Sequence, residues 1–232
     1  MEFNGIILAL IEVFLFAIGS FSIRIIYNKL NTIKLINYYW IMFTILTGIW
    51  EFSFVLNYRK STLLSKELIN NKTHVWTNKY DISYLNPNKF SILFYAEYGS
   101  YADREYMIIS NDWSRVIESS HALLCGLFSL FCILCKINNN HDNYLLCLAI
   151  AMGSQLMNSV LYLINYFIQT NTYNNVNFNN ITFPAGKYLE QRPFMYINIL
   201  WTIMPLYIIL DILSNKNILS TKNNINNEKF NC

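Results

Sequence analysis

The chain has 232 residues, of which 54% are hydrophobic, 16% aromatic and only 13% charged. A soluble domain carries about 25% charged residues, so this deficit indicates a protein whose surface faces lipid. The net charge of +3 and the lack of a dense basic stripe in the sequence argue against a nucleic-acid partner.

Five apolar stretches are long enough to cross a bilayer, which takes about 20 mostly apolar residues. They cover residues 5–27, 36–58, 113–135, 144–168 and 193–213. The first stretch has no basic n-region and no small-residue cleavage site, which predicts a retained span rather than a signal peptide. The sequence therefore predicts an all-α, polytopic membrane protein built as a bundle of five transmembrane helices.

The connections between the spans divide the chain into three regions. Residues 1–35 hold the first span and a short cytosolic loop. Residues 36–213 form a four-helix transmembrane domain that contains a long lumenal loop, residues 59–112. Residues 214–232 are polar and rich in Asn and Lys, which predicts a disordered cytosolic tail because such a segment buries too little apolar surface to fold.

Basic residues are distributed unequally between the two sides of the predicted bundle. The short connections carry Lys29, Lys34 and Lys136 on the side of the C-terminal tail. By the positive-inside rule, this side is cytosolic and the N-terminus is lumenal. The two N-x-S/T sequons, at Asn71 and Asn180, fall on the lumenal side and agree with this orientation.

Several polar side chains lie inside the predicted spans at one depth. Glu51 lies seven residues before the second span ends, Glu118 five after the third begins, and Asn198 five after the fifth begins. At about 1.5 Å per residue, all three lie roughly 8–10 Å below the same membrane face. His121 shares a helix face with Glu118, and Trp201 shares one with Asn198. Because charged groups in hydrocarbon are costly, this convergence favours an intramembrane cavity over the alternatives of interhelical packing and snorkelling.

These residue types suit proton transfer or the binding of a cation. Carboxyl groups and an imidazole provide a general acid and base, and an indole attracts cations through its ring face. A conducting channel is less favoured, because the polar residues gather near one membrane face. We expect no metal ion, because the Cys132-x-x-Cys135 pair lies in an apolar helix without a second pair of ligands.

Four motifs occur in an order that carries a family resemblance. They are WEFSFVLNY (50–58), EYGSYADREY (97–106), ESSHALLCGLFSL (118–130) and NILWTIMPLYIILD (198–211). These segments resemble the second-span, pre-third-span, third-span and closing-helix motifs of the emopamil-binding protein family. This family comprises the sterol Δ8–Δ7 isomerases and their relatives in the EXPERA superfamily.

The resemblance implies a fold, an activity and a set of site residues. Members shift the ring-B double bond in sterol biosynthesis, in the endoplasmic reticulum membrane and without a cofactor, and they also bind cationic amphiphiles. By position, Glu51 matches the catalytic carboxylate, and Glu118 matches the glutamate that holds a cation. Asn198 and Trp201 match the pair that lines the sterol cavity.

The chain departs from the family pattern at positions that matter for the chemistry. Thr47 stands where the active isomerases have a histidine, whereas His121 stands where they have a threonine. Asn158 replaces an aspartate, and the segment that leads to Tyr106 has one extra residue. We expect Thr47, Tyr106 and Asn158 to line the substrate cavity, and we interpret the charged segment around Asp103 as a solvated loop tethered by salt bridges.

Two functions follow from these observations. In the first, the chain is a cholestenol Δ-isomerase in which His121, with Glu51 and Glu118, forms the catalytic group and replaces the missing histidine. In the second, favoured by Thr47, it is a non-catalytic EXPERA protein that binds sterols or amphiphilic amines. The expected partners are this ligand and the lipid bilayer, and a homodimer is left open.

Overall fold

The computed structural model describes residues 1–103, 112–171 and 193–230. Within these ranges the chain forms six α-helices: α1 (Gly5–Ile26), α2 (Leu35–Asn71), α3 (Pro87–Glu97), α4 (Asp112–Ile137), α5 (His141–Asn171) and α6 (Phe194–Phe230). All of them except α3 are long and apolar enough to cross a membrane. The predicted all-α, polytopic membrane fold with five spans is confirmed.

Each spanning helix from α2 onward packs against the next one along the chain. The main contacts join α2 to both α3 and α4, α4 to α5, and α5 to α6. Their inner faces form an apolar core that includes Tyr38, Ile41, Met152 and Ile208. Many large apolar side chains on the outer faces are exposed, as expected for helices whose surface contacts lipid tails rather than water.

Helices α2 and α4 approach each other through two glycines. A Cβ atom added to Gly48 would lie 2.9 Å from the carbonyl oxygen of Ala122 and 3.1 Å from the Cα atom of Gly126. Backbones can approach this closely only where the side chains are small, which is the usual packing device of membrane helices.

Most of the connection between the second and third spans is regular structure. Helix α2 continues to Asn71, a strand β2 (Lys79–Asp81) follows, and α3 then leads into a π-helix at Tyr98–Ala102. Helix α3 has Pro87 at its start, and the Asn86 side chain accepts a hydrogen bond from the Asn88 amide at 3.0 Å. Both features are favourable at a helix N-terminus.

A two-stranded antiparallel sheet marks one end of the bundle, which we call the sheet end. Strand β1 (Glu2–Asn4) pairs with β2. In this region burial raises the pKa of Tyr80, and hydrogen bonds from Ser83 hold the pKa of Asp81 below its usual range. The sheet joins the start of α1 to the connection that follows α2.

The structure also bears on the predicted tail, on the two sequons and on two of the predicted site residues. Helix α6 continues to Phe230, which differs from the disordered tail predicted for residues 214–232, and no Gly or Pro interrupts residues 214–230. Asn71, the asparagine of the first sequon, is the last residue of α2. Tyr106 and Asn180 lie outside the described residues, as does the side chain of Glu118, although Glu118 itself lies on α4.

Candidate functional site

A cavity of about 580 Å³ lies within the bundle. Its wall comes from α2, α4, α5 and α6, and from α3 together with the π-helix that follows it. Six of the eight residues predicted for the site line this cavity: Thr47, Glu51, His121, Asn158, Asn198 and Trp201. The other two are Tyr106 and Glu118, for which no side chain is described. Helices predicted from hydropathy alone thus bring these polar groups to one cavity.

Glu51 supplies a carboxylate to the cavity from α2. It lies one helical turn after Gly48, where α2 closely approaches α4. Ser119 of α4 donates a hydrogen bond from Oγ to the Glu51 Oε2 atom at 3.2 Å. Ser119 is fully buried, so this contact links the carboxylate to α4 inside the protein.

His121 contributes an imidazole from α4, and its tautomer follows from its partner. The Nε2 atom lies 2.9 Å from the backbone carbonyl oxygen of Ser154 on α5. A carbonyl oxygen can only accept, so Nε2 carries the hydrogen and the neutral imidazole has its lone pair on Nδ1. Cys125 Sγ lies 3.4 Å from the same Nε2 atom and 3.6 Å from the Ala151 carbonyl oxygen. This contact with α5 fixes the ring and leaves Nδ1 as its basic nitrogen.

Thr47 also lines the cavity, but its hydroxyl group is engaged by its own helix. Oγ1 donates a hydrogen bond to the Thr44 carbonyl oxygen at 3.1 Å. Such a local bond is common for threonine inside a helix. Among the described residues of this wall, His121 is therefore the side chain that offers a nitrogen base, in place of Thr47.

Asn198 belongs to a hydrogen-bond network between α5 and α6. Its Oδ1 accepts from Ser159 Oγ at 3.1 Å, and its Nδ2 donates to the Ser159 carbonyl oxygen at 3.2 Å. Ser159 Oγ also lies 2.7 Å from Thr202 Oγ1. Asn198 and Ser159 are both buried, so the network satisfies polar groups that water does not reach.

Trp201 is held in the cavity wall by other aromatic rings. Its ring packs edge-on against Trp40 at 5.1 Å and Phe43 at 5.3 Å between centroids. Trp40 is fixed in turn, because its Nε1 donates to Gln155 Oε1 at 2.8 Å. These contacts hold the indole of Trp201 in one orientation, as required of a surface that stabilises a cation.

The connection before α4 contributes cavity residues that the sequence did not single out. From α3 and the π-helix come Phe94, Tyr95, Glu97, Tyr98, Tyr101 and Ala102. A π-helix is rare and occurs frequently at functional sites. The part of the sequence that could have indicated these residues is the segment EYGSYADREY. It resembles a family motif, but its aromatic residues show no helical periodicity.

Asp103 corrects the interpretation of this segment as a solvated loop. The residue is fully buried, its backbone amide donates to the Tyr98 carbonyl oxygen at 2.7 Å, and its carboxylate accepts from the Tyr162 hydroxyl group. Tyr162 lies on α5 and lines the cavity. Because the π-helix folds the chain back against α5, Asp103 is inside the protein rather than in water.

The cavity has the composition of a site for an apolar ligand with few polar groups. Aromatic rings dominate its wall, and the only carboxylates among the described lining residues are Glu51 and Glu97. Its volume falls within the range of about 300–1,000 Å³ that is typical of sites for small organic molecules. A hydrophobic ligand with a small number of polar or cationic groups therefore fits this space.

Comparisons with protein-family models, with curated proteins and with solved structures find no match to this chain.

Proposed function

We propose that this membrane protein is a sterol isomerase that moves a ring-B double bond from Δ8 to Δ7. The observation that carries the proposal is that Glu51 and His121 line one aromatic cavity in the membrane bundle. The motif resemblance supports the same activity, and the cavity is large enough for a polycyclic ligand. The expected location is the endoplasmic reticulum membrane, with the sheet end in the lumen and the C-terminus in the cytosol.

The chemistry requires one acid, one base and a surface that tolerates a cation. The protonated Glu51 carboxyl group donates its proton to C9, and the π electrons of the C8–C9 double bond form the new C–H bond. The tertiary cation at C8 then loses a proton from C7 to Nδ1 of His121, and the C7–H electron pair forms the C7–C8 double bond. Transfer of that proton from His121 back to Glu51 restores the enzyme, so the reaction needs no oxidant, reductant or cofactor.

The cation formed between these two steps needs protection from water. The aromatic wall excludes water that would otherwise add to C8. Trp201 is placed to stabilise the cation through its ring, and the resemblance assigns a second stabilising carboxylate to Glu118. Thr47 has no role in this scheme, because its hydroxyl group donates a hydrogen bond to a carbonyl oxygen of its own helix, α2.

Complementation tests the proposal directly. The chain is expressed in cells that lack their own Δ8–Δ7 isomerase, and their sterols are profiled by mass spectrometry. We expect Δ8-sterols to fall and Δ7-sterols to appear. Cells that express the protein in the membrane but retain only Δ8-sterols would exclude the isomerase activity.

A second function is favoured by one observation, the engagement of the Thr47 hydroxyl group by its own helix. If His121 does not replace the missing base, the cavity binds sterols or amphiphilic amines without converting them. Glu51 and the aromatic wall would then hold the ammonium group of such an amine. Saturable binding of a Δ8-sterol with no Δ7 product in the complemented cells is the result expected for this function.

A further inference from the structure

Glu97 is a second carboxylate in the cavity, and the isomerisation scheme does not use it. It is the last residue of α3, is 7% exposed, and lines the cavity. Its Oε1 accepts a hydrogen bond from His74 Nδ1 at 2.7 Å, and its Oε2 accepts one from the Val75 backbone amide at 2.8 Å. Two donors from the connection after α2 therefore hold the carboxylate in place.

The two carboxylates lie at different levels of the bundle, and contacts of their neighbours with α1 indicate how far apart these levels are. Gly5, at the start of α1, packs against Val75, the residue whose amide binds Glu97. Glu12 lies beside Trp50, the neighbour of Glu51 in the chain. Seven residues of helix separate these two contacts, which corresponds to about 10 Å along the axis at 1.5 Å per residue. Glu97 is thus nearer the sheet end than the proposed reaction centre.

The wall between these two levels is aromatic. The Phe94 ring packs on Trp50 with centroids 5.2 Å apart, and the Tyr98 ring is 6.4 Å from that of Phe94. Glu97 lies one helical turn beyond Phe94. A ligand that contacts both carboxylates must therefore present flat, apolar rings to Phe94 and a polar group at its end.

The acceptor sites of Glu97 that His74 and Val75 do not occupy suit a neutral hydrogen-bond donor. An ionised carboxylate offers about four acceptor sites, and His74 and Val75 account for two of them. Because these two donors already offset part of its negative charge, a hydroxyl group matches the remaining sites better than a second cation. Hydrogen bonds from hydroxyl groups to carboxylates are short and strong.

We propose that Glu97 is a specificity residue that binds the terminal hydroxyl group of the ligand. This inference rests on the proposed function and assigns a residue to the substrate's hydroxyl group, which in a sterol lies on the ring next to the reacting one. Fused rings A and B, with a hydrogen bond at one end and a reacting carbon at the other, span a distance comparable with the spacing of these two levels along the bundle. The Glu97–hydroxyl bond thereby places ring B at the level of Glu51 and His121.

The test compares two ligands on matched variants of the full chain. The purified protein in nanodiscs is titrated with a Δ8-sterol and with the 3-methyl ether of the same sterol, which cannot donate a hydrogen bond. In the wild type the alcohol should bind about tenfold more tightly than the ether, as expected for a hydrogen bond to a charged group. Glu97→Ala should reduce this preference to less than about twofold, because the acceptor is lost.

Two further variants complete the design. Glu67→Gln changes an exposed glutamate on α2 and should keep the tenfold preference. Glu97→Gln retains an oxygen for the Val75 amide, so it should fold even if Glu97→Ala does not, and its preference should fall to about threefold because the acceptor is no longer charged.

The outcomes separate this inference from the function on which it rests. An unchanged preference in the Glu97 variants, or no preference in the wild type, would overturn the role of Glu97 while sterol binding stands. Failure of the wild type to bind either sterol would instead overturn the proposed function, and the role of Glu97 with it.

Discussion

Gly48 of α2 and Gly126 of α4 face each other where the two helices touch. A Cβ atom on Gly126 would lie 3.2 Å from the Cα atom of Gly48, and a Cβ atom on Gly48 would lie 3.1 Å from the Cα atom of Gly126. Glu51, one turn beyond Gly48, and His121, just over one turn before Gly126, lie on the same side of this contact, because α2 and α4 run antiparallel. The close approach of these two backbones therefore sets how near the carboxylate and the imidazole lie to each other.

Enlarging either glycine should separate α2 from α4. We expect Gly48→Ala and Gly126→Ala each to lower the free energy of unfolding by about 1–3 kcal/mol, the usual cost of overpacking. The matched control is Gly153→Ala on α5, where a Cβ atom meets nothing within 4 Å. Since alanine favours helix over glycine by about 0.5–1 kcal/mol, this control should be neutral or more stable. Thermal unfolding of the three variants in detergent measures the effect, and equal stability of all three would contradict the packing described for Gly48.

Removing the acidic proton of Glu51 should stop isomerisation without removing the cavity. Glu51→Gln keeps an oxygen that can accept from Ser119 Oγ but no longer supplies an acidic proton. We expect the rate of Δ7-sterol formation to fall by at least about a hundredfold, a typical contribution of a general acid. The resemblance makes the same prediction for Glu118→Gln. Glu67→Gln serves as the exposed control, and sterol profiling by mass spectrometry is the measurement. Full activity in both Glu51→Gln and Glu118→Gln would refute the enzyme hypothesis.

The imidazole of His121 should be needed for catalysis more than for binding. We expect His121→Ala to lower the isomerisation rate by about a hundredfold, because alanine has no group that could accept the C7 proton. His141→Ala, which changes an exposed histidine at the start of α5, is the matched control and should retain the wild-type rate. Product formation and sterol binding are measured side by side, and loss of both to the same extent would point to a structural role instead.

The two departures from the family motif should compensate for each other. His121→Thr restores the residue that the family has on the third span, and Thr47→His restores its histidine on the second. If one cavity accepts the base from either helix, the double variant should recover part of the activity that His121→Thr loses. Complementation with the single and double variants provides the measurement. A double variant no better than His121→Thr alone would show that α2 cannot supply the base in this chain.

The network around Asn198 should contribute to stability as well as to the cavity wall. Asn198→Ala removes the two hydrogen bonds that join the Asn198 side chain to Ser159. We expect a loss of about 1–3 kcal/mol, the summed net contribution of two such hydrogen bonds. Asn143→Ala changes an exposed asparagine on the same bundle and should cost little. Chemical or thermal unfolding compares the two, and similar small losses in both would mean that the Asn198 bonds are not important for folding.

Hydropathy was sufficient to predict the spans because lipid imposes a simple requirement. Each crossing needs about 20 apolar residues in a helix, since backbone polar groups find no partners in the bilayer. The same reasoning predicted the depth of Glu51 and Asn198, because rise per residue converts a position in the span into a distance from the membrane face. That both side chains line one cavity agrees with the predicted depth.

The sequence could not predict which residues complete the wall. Glu97 and Tyr98 lie in a connection without helical periodicity, and the π-helix that follows α3 has no recognised pattern in the sequence. Asp103 was interpreted as solvated because charged loop residues usually are. Its burial depends on a partner, Tyr162, that is 59 residues away in the chain.

The sequence by itself thus determined the membrane fold and the five spans, and it predicted the depth of the polar groups, because these depend on properties that add up along one helix. Only the tertiary structure decided how the helices are rotated, which nitrogen of His121 is basic, and that Glu97 and His74 meet at the sheet end. These features depend on contacts between segments distant in the chain, such as the glycine contact of α2 with α4, and no local pattern of residues encodes them.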